Sequence, residues 1–72
     1  MNIQAINARN QFKGRIREII VGDVVSEVEI KTSSGIVSAV VTTRSIKDLG
    51  LHPGSDVIAL FKATDVAIAR LG

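Results

Sequence analysis

Three short segments of this chain are rich in hydrogen-bond donors and free of acids. The first is Asn7-Ala8-Arg9-Asn10-Gln11-Phe12-Lys13-Gly14, with side-chain donors at Asn7, Arg9, Asn10, Gln11 and Lys13. The second is Thr42-Thr43-Arg44-Ser45, and the third is Lys62-Ala63-Thr64. Ammonium, guanidinium, amide and hydroxyl groups all donate, so a pocket assembled from them suits an anion. Each segment also has a plainer reading. The first could be a polar connection between strands, the second a set of helix caps, and the third an exposed turn. Singly, the plain reading prevails; the sequence does not place the three together.

Other chemistries are poorly supplied. There is no glycine-rich phosphate loop ending in Lys-Ser or Lys-Thr, no dinucleotide fingerprint and no zinc-spaced ligand set. The chain has no cysteine and one histidine, His52, which falls in a Pro-Gly turn and has no nucleophile to activate. Glu27 and Glu29 share a strand face with Lys31, which reads as a solvated edge. No metal is expected to be held by direct side-chain ligands, and no enzyme is expected. A nucleic-acid groove would need aromatic platforms, and Phe12 and Phe61 are the only aromatics.

Seventy-two residues make one domain, taken as residues 1–72, and a chain this short is marginal alone. It has no disulfide to staple it, yet 46% of its residues are hydrophobic, so association with other copies is the remaining means of stabilisation. Nine Lys plus Arg against seven Asp plus Glu give a net charge of +2, too mild to argue for nucleic acid. No apolar run approaches the roughly 18 residues of a membrane span, and no signal core is seen at the N-terminus. The expectation is a soluble, cytoplasmic protein.

The elements that would position the donors are mostly strands. Residues 2–8 form a possible first edge strand. Residues 14–21 read as a strand whose pattern slips: Ile16 and Ile20 share a face with Glu18, while Ile19 and Val21 point the other way. A bulge or a second buried face would explain this. Gly22-Asp23 is read as a two-residue hairpin turn. Residues 24–31 alternate cleanly, with Val24, Ser26, Val28 and Ile30 on one face. Thr32-Ser33-Ser34-Gly35 is the next turn.

Residues 36–42 form a strand with no charge on either face, so both faces are expected to be buried, against a subunit or a covering helix. A short helix follows over residues 43–49, with Ser45 opening a capping-box-like pattern and Ile46 and Leu49 plugging the core. Gly50 suits its C-terminus. His52-Pro53-Gly54-Ser55 fits a type II turn. Residues 56–61 make a strand with Val57, Ala59 and Phe61 on one face. Residues 62–65 turn, and residues 66–69 close the sheet. The fold expected is all-β: a five-stranded OB-like Greek-key barrel with one short helix. Length alone also permits an SH3-like barrel.

The ordered set of motifs resembles the molbindins, the small Mop proteins built on a TOBE-type domain. Asn7-Ala8-Arg9-Asn10-Gln11-Phe12-Lys13-Gly14 is similar to the family's Ser-Ala-Arg-Asn-Gln-x-x-Gly opening. Val40-Val41-Thr42-Thr43-Arg44-Ser45, the pair Leu49-Gly50, and Phe61-Lys62-Ala63-Thr64-Asp65-Val66 follow at the family's spacing. The resemblance implies a free-standing binder of molybdate or tungstate that stores or buffers the oxyanion. It also implies a homo-oligomer, a hexamer arranged as a trimer of dimers, with oxyanion sites between subunits. The matching site residues are Asn7, Ala8 and Arg9, then Thr42 and Ser45, then Lys62 and Ala63. Lys62 and Arg9 would offset the double negative charge.

Asn7 stands where the family has Ser. Its amide still donates, but its carbonyl must face away from an anion. Molybdate near neutral pH is an unprotonated dianion that only accepts hydrogen bonds. Phosphate carries a proton and is better served by a site with one acceptor, since an unpaired buried O–H costs free energy. The competing expectation is a small barrel that binds a protein or single-stranded nucleic acid and no anion.

Overall fold

The computed structural model describes residues 7–72, so most of the expected first edge strand lies outside the described residues. Four antiparallel strands form one sheet in the order β3-β2-β1-β4. These are β1 (Asn10–Ile20), β2 (Val25–Thr32), β3 (Gly35–Thr42) and β4 (Asp56–Phe61), with one helix, α1 (Thr43–Leu49), between the last two. The sheet curls into a half-barrel. Its core is Ile16, Val28, Ile30, Ile46 and Ala59, with Ile19, Val37, Val41, Leu51 and Val57 packed against it.

The slipped pattern of β1 is a bulge. Ile16 pairs with Ile30 and Glu18 with Glu29, leaving Arg17 as the extra residue. The extra residue reverses the alternation, so Ile16 and Ile19 both point inward, onto the partners Ile30 and Val28. The bulge is tied down by the turn before β4: Ile16 N–H donates to Ser55 O (3.0 Å), and Gly54 N–H donates to Ile16 O (2.8 Å). That turn is closed by Ser55 N–H on His52 O at 2.9 Å, with Gly54 at φ 94° as a type II turn requires. Gly14, two residues before Ile16, admits no side chain, because a Cβ would come within 2.6 Å of Lys31 O.

Several expectations need correction. Gly22-Asp23 is not a two-residue turn; four residues, 21–24, separate β1 from β2. Val25 and Ser26 run past the end of β1 and pair only with β3. β3 is an edge strand, and in the single chain only its inner face is covered: Val40 on the outer face is 72% exposed. Leu49 is 70% exposed and does not plug the core; Ile46 does, with Leu51 beside it. The helix is capped by Thr42, not Ser45, because the chain leaves β3 directly into the helix. Its C-terminus is Gly50 at φ 62°, as the sequence suggested. No strand forms over residues 66–69, which are exposed and follow a 3-10 turn, Ala63–Asp65. The expected fifth strand is therefore absent among the described residues, and the half-barrel stays open between β3 and β4.

Candidate functional site

Two of the three donor segments meet at one end of β1. Asn10 pairs with Phe61, so the residues preceding β1 run alongside those following β4. Ala8 is buried between exposed Asn7 and Arg9. Gln11 fixes this approach by donating from Nε2 to Ala8 O at 3.0 Å. Opposite, Lys62 is extended and opens the 3-10 turn, whose first bond is Asp65 N–H to Lys62 O (2.9 Å). Phe12 and Phe61 pack edge to face beneath, with centroids 5.4 Å apart. Their contact turns the two aromatics of the chain on each other, with Phe12 still 41% exposed.

The third group of residues lies at the helix entry. Ser45 N–H donates to Thr42 Oγ1 (3.1 Å), and the two hydroxyl oxygens are 2.7 Å apart. Each hydroxyl has one hydrogen, and one of the two is used between them. Whichever way that bond runs, one O–H of the exposed pair is left to donate outward. Thr43 plays no outward part. It is buried, its Oγ1 donates to Gly22 O at 2.7 Å, and it shares a 2.7 Å hydrogen bond with Ser26 Oγ. Ser26 in turn accepts from Gly22 N–H at 3.2 Å. This buried Gly22–Ser26–Thr43 network holds the helix entry on the loop over residues 21–24. Sequence reasoning missed it, although Ser26, a polar residue in line with Val28 and Ile30 and as deeply buried as they are, was the signal.

One chain does not bring the two ends together. Thr42 pairs with Val25, past the Ile20 end of β1, whereas Lys62 and Ala63 lie past the Asn10 end. Ten residue steps separate Asn10 from Ile20, roughly 30 Å of strand, in a molecule 40 Å in its longest dimension. Asn7, Ala8, Arg9, Lys62 and Ala63 therefore form one cluster, and Thr42 and Ser45 a second.

Neither cluster carries a paired charge. The ion pairs among the described residues are Arg15–Asp56 and Arg17–Glu29, both 3.2 Å and both on the outer surface. Arg9, Arg44 and Lys62 take no part in them. Among the described residues no three His, Asp or Glu side chains gather as a metal site would need. No helix of the described residues is long and apolar enough to cross a membrane.

The TOBE domain family model matches residues 6–68. The chain belongs to this family. Its relatives include the molybdenum-pterin-binding protein 3 of Clostridium pasteurianum, 38% identical over 65 residues, which are 89% of this chain and 96% of the relative. A molybdate-binding protein from Sporomusa ovata has the same fold, with a TM-score of 0.89 at 31% identity over 93% of this chain and all of that one. The cytoplasmic molybdate-binding protein ModG, solved with molybdate bound, matches with a TM-score of 0.79 at 33% identity. That match covers 83% of this chain and 43% of ModG. The chain is thus a TOBE domain of the molbindin type.

Proposed function

We propose that this protein binds molybdate or tungstate in the cytoplasm, as a store or buffer, at sites shared between copies of a homo-oligomer. A hexamer arranged as a trimer of dimers is the assembly the resemblance implies. The observation that carries the reading is the separation of the donors. Two acid-free clusters sit at opposite ends of β1, each too small to surround a tetrahedral dianion. Asn7, Ala8, Arg9, Lys62 and Ala63 of one copy meeting Thr42 and Ser45 of another would complete the shell.

In that shell the backbone N–H groups and the leftover hydroxyl hydrogen of Thr42 and Ser45 donate to the oxygens. Lys62 and Arg9 neutralise charge. The absence of carboxylates selects a fully deprotonated oxyanion over protonated phosphate, whose O–H would lack an acceptor. The relatives named as molybdate-binding proteins support the same ligand. Binding is the whole activity in this reading, with no reaction catalysed and no nucleic acid or membrane involved.

The test is the Lys62→Ala protein. A charge-assisted hydrogen bond contributes about 2 kcal/mol, so molybdate should bind ~30-fold more weakly to an oligomer of unchanged mass. Wild-type affinity in that variant would remove Lys62 from the site.

A further inference from the structure

Next to the exposed Thr42–Ser45 pair lies a closed ring of hydrogen bonds. Gly22 N–H donates to Ser26 Oγ at 3.2 Å, and Thr43 Oγ1 donates to Gly22 O at 2.7 Å. The two hydroxyls are 2.7 Å apart, and only one direction remains for the bond between them. The hydrogen of Thr43 is already on Gly22 O, so Ser26 donates and Thr43 accepts. The ring leaves Gly22 at its N–H and returns to the same residue at its C=O. Three hydrogens fill three acceptors, all in one sense, an arrangement in which each bond polarises the next.

The ring joins three places in the fold. Ser26 is on β2, Thr43 opens α1, and Gly22 is in the loop between β1 and β2. Ser26 is 2% exposed and Thr43 9%, so neither hydroxyl faces a ligand. The same loop takes a second bond from the helix entry, Thr43 N–H to Val24 O at 2.9 Å. Gly22 lets the loop fold this closely, since a Cβ there would run into Val25 O. Thr43 is therefore held at its backbone and at its side chain, one residue after Thr42. Ile46 anchors the helix in the core three residues further on, but only the ring adjoins Thr42.

Placement matters at this site because donor type does not discriminate. Molybdate and sulfate are both tetrahedral dianions that only accept hydrogen bonds. Sulfate is the smaller, so a donor fixed to suit the larger anion falls short of it, whereas a donor free to move follows it inward. The Thr42–Ser45 pair has one O–H to offer, and its direction follows from where the helix entry is held.

We propose that Ser26 and Thr43 are positioning residues for the oxyanion site. Their ring with Gly22 sets where the free O–H of the Thr42–Ser45 pair points, and with it the preference for the larger dianion. The proposal rests on the reading of the protein as an oxyanion binder, and neither residue touches the anion.

Thr43→Val removes the hydroxyl and keeps the shape, while Thr43→Ser keeps the hydroxyl. Molybdate affinity is measured by calorimetry, and sulfate by competition, on oligomers of wild-type mass. Thr43→Val should weaken molybdate binding about fivefold, the contribution of one hydrogen bond between neutral groups. Sulfate should lose less, so the ratio of the two affinities falls, and Thr43→Ser should restore it. Ser26→Ala opens the ring at another point and should repeat the Thr43→Val pattern; it carries the test if Thr43→Val does not fold. A further readout needs no anion. Three-bond couplings to the Thr42 methyl carbon should report one χ1 rotamer in the wild type and an average in Thr43→Val and Ser26→Ala. Unchanged molybdate affinity in the ring variants overturns the proposal. So does an equal loss for both anions, which marks a general loosening, and so do couplings that stay those of one rotamer. Wild-type protein that binds neither anion overturns the oxyanion reading itself, whereas failure of this inference alone appears as a binding wild type with unperturbed variants.

Discussion

At the scale of single residues, the chain divides into groups that hold the fold and groups left facing outward. Ile16 belongs to the first, at 2% exposure in the centre of the core. Ile16→Ala should cost about 3 kcal/mol of stability, measured by denaturant titration, with little change in the slope. Asn7, Arg9, Lys62 and Ser45 belong to the second. Ser45→Ala leaves its N–H on Thr42 and should barely move stability, while molybdate affinity falls several-fold; unchanged affinity would take Ser45 out of the site. The outward donors were legible in the sequence because they are polar and acid-free in three places. The buried pair of Ser26 and Thr43 was not, since a hydroxyl bonded inside a loop and a hydroxyl awaiting a ligand look alike until their partners are known.

At the scale of elements, β2 follows from its alternation, β3 and β4 from their apolar runs, the helix from its cap signals and the glycine after it, and the turn at Gly54 from its Pro-Gly chemistry. The capping residue was misread because Thr42 and Ser45 are both good caps, and only the direct passage from strand to helix decides between them. Thr42→Ala should therefore cost about 1 kcal/mol as well as weaken oxyanion binding. If Ser45 were the cap, Thr42→Ala would leave stability untouched. Leu49 was misplaced for a similar reason. A seven-residue helix has little more than one inward position, and Ile46 fills it. The fifth strand was read from an alternating pattern that is real, but the turn Ala63–Asp65 takes the segment off the end of β4 unpaired, so pairing could not be inferred from residues 66–69 alone.

At the scale of the whole molecule, the described residues of one chain are incomplete twice over: their donors are split and their half-barrel is open. A site built between copies has a consequence that an intrachain site lacks. Lys62→Ala and Ser45→Ala proteins, each binding weakly alone, should recover binding when unfolded together and reassembled. About a quarter of the sites would then draw Lys62 and Ser45 from different, intact copies. An intrachain site would recover none, and titration of the mixed assembly distinguishes the two. The separation of the clusters follows from the strand register, which puts Thr42 opposite Val25 and Phe61 opposite Asn10. That register depends on the bulge at Arg17, which the slipped alternation of residues 14–21 marks, and on the wide loop at Gly22, which the Gly-Asp pair does not reveal.

The most direct test of the account is titration calorimetry with molybdate on protein whose mass in solution is measured in parallel, with sulfate and phosphate as controls. The account predicts tight binding by an oligomer, at a stoichiometry set by the number of shared sites, with little response to phosphate and weaker binding of sulfate. A folded oligomer that gives no heat with molybdate and no displacement by tungstate would contradict it.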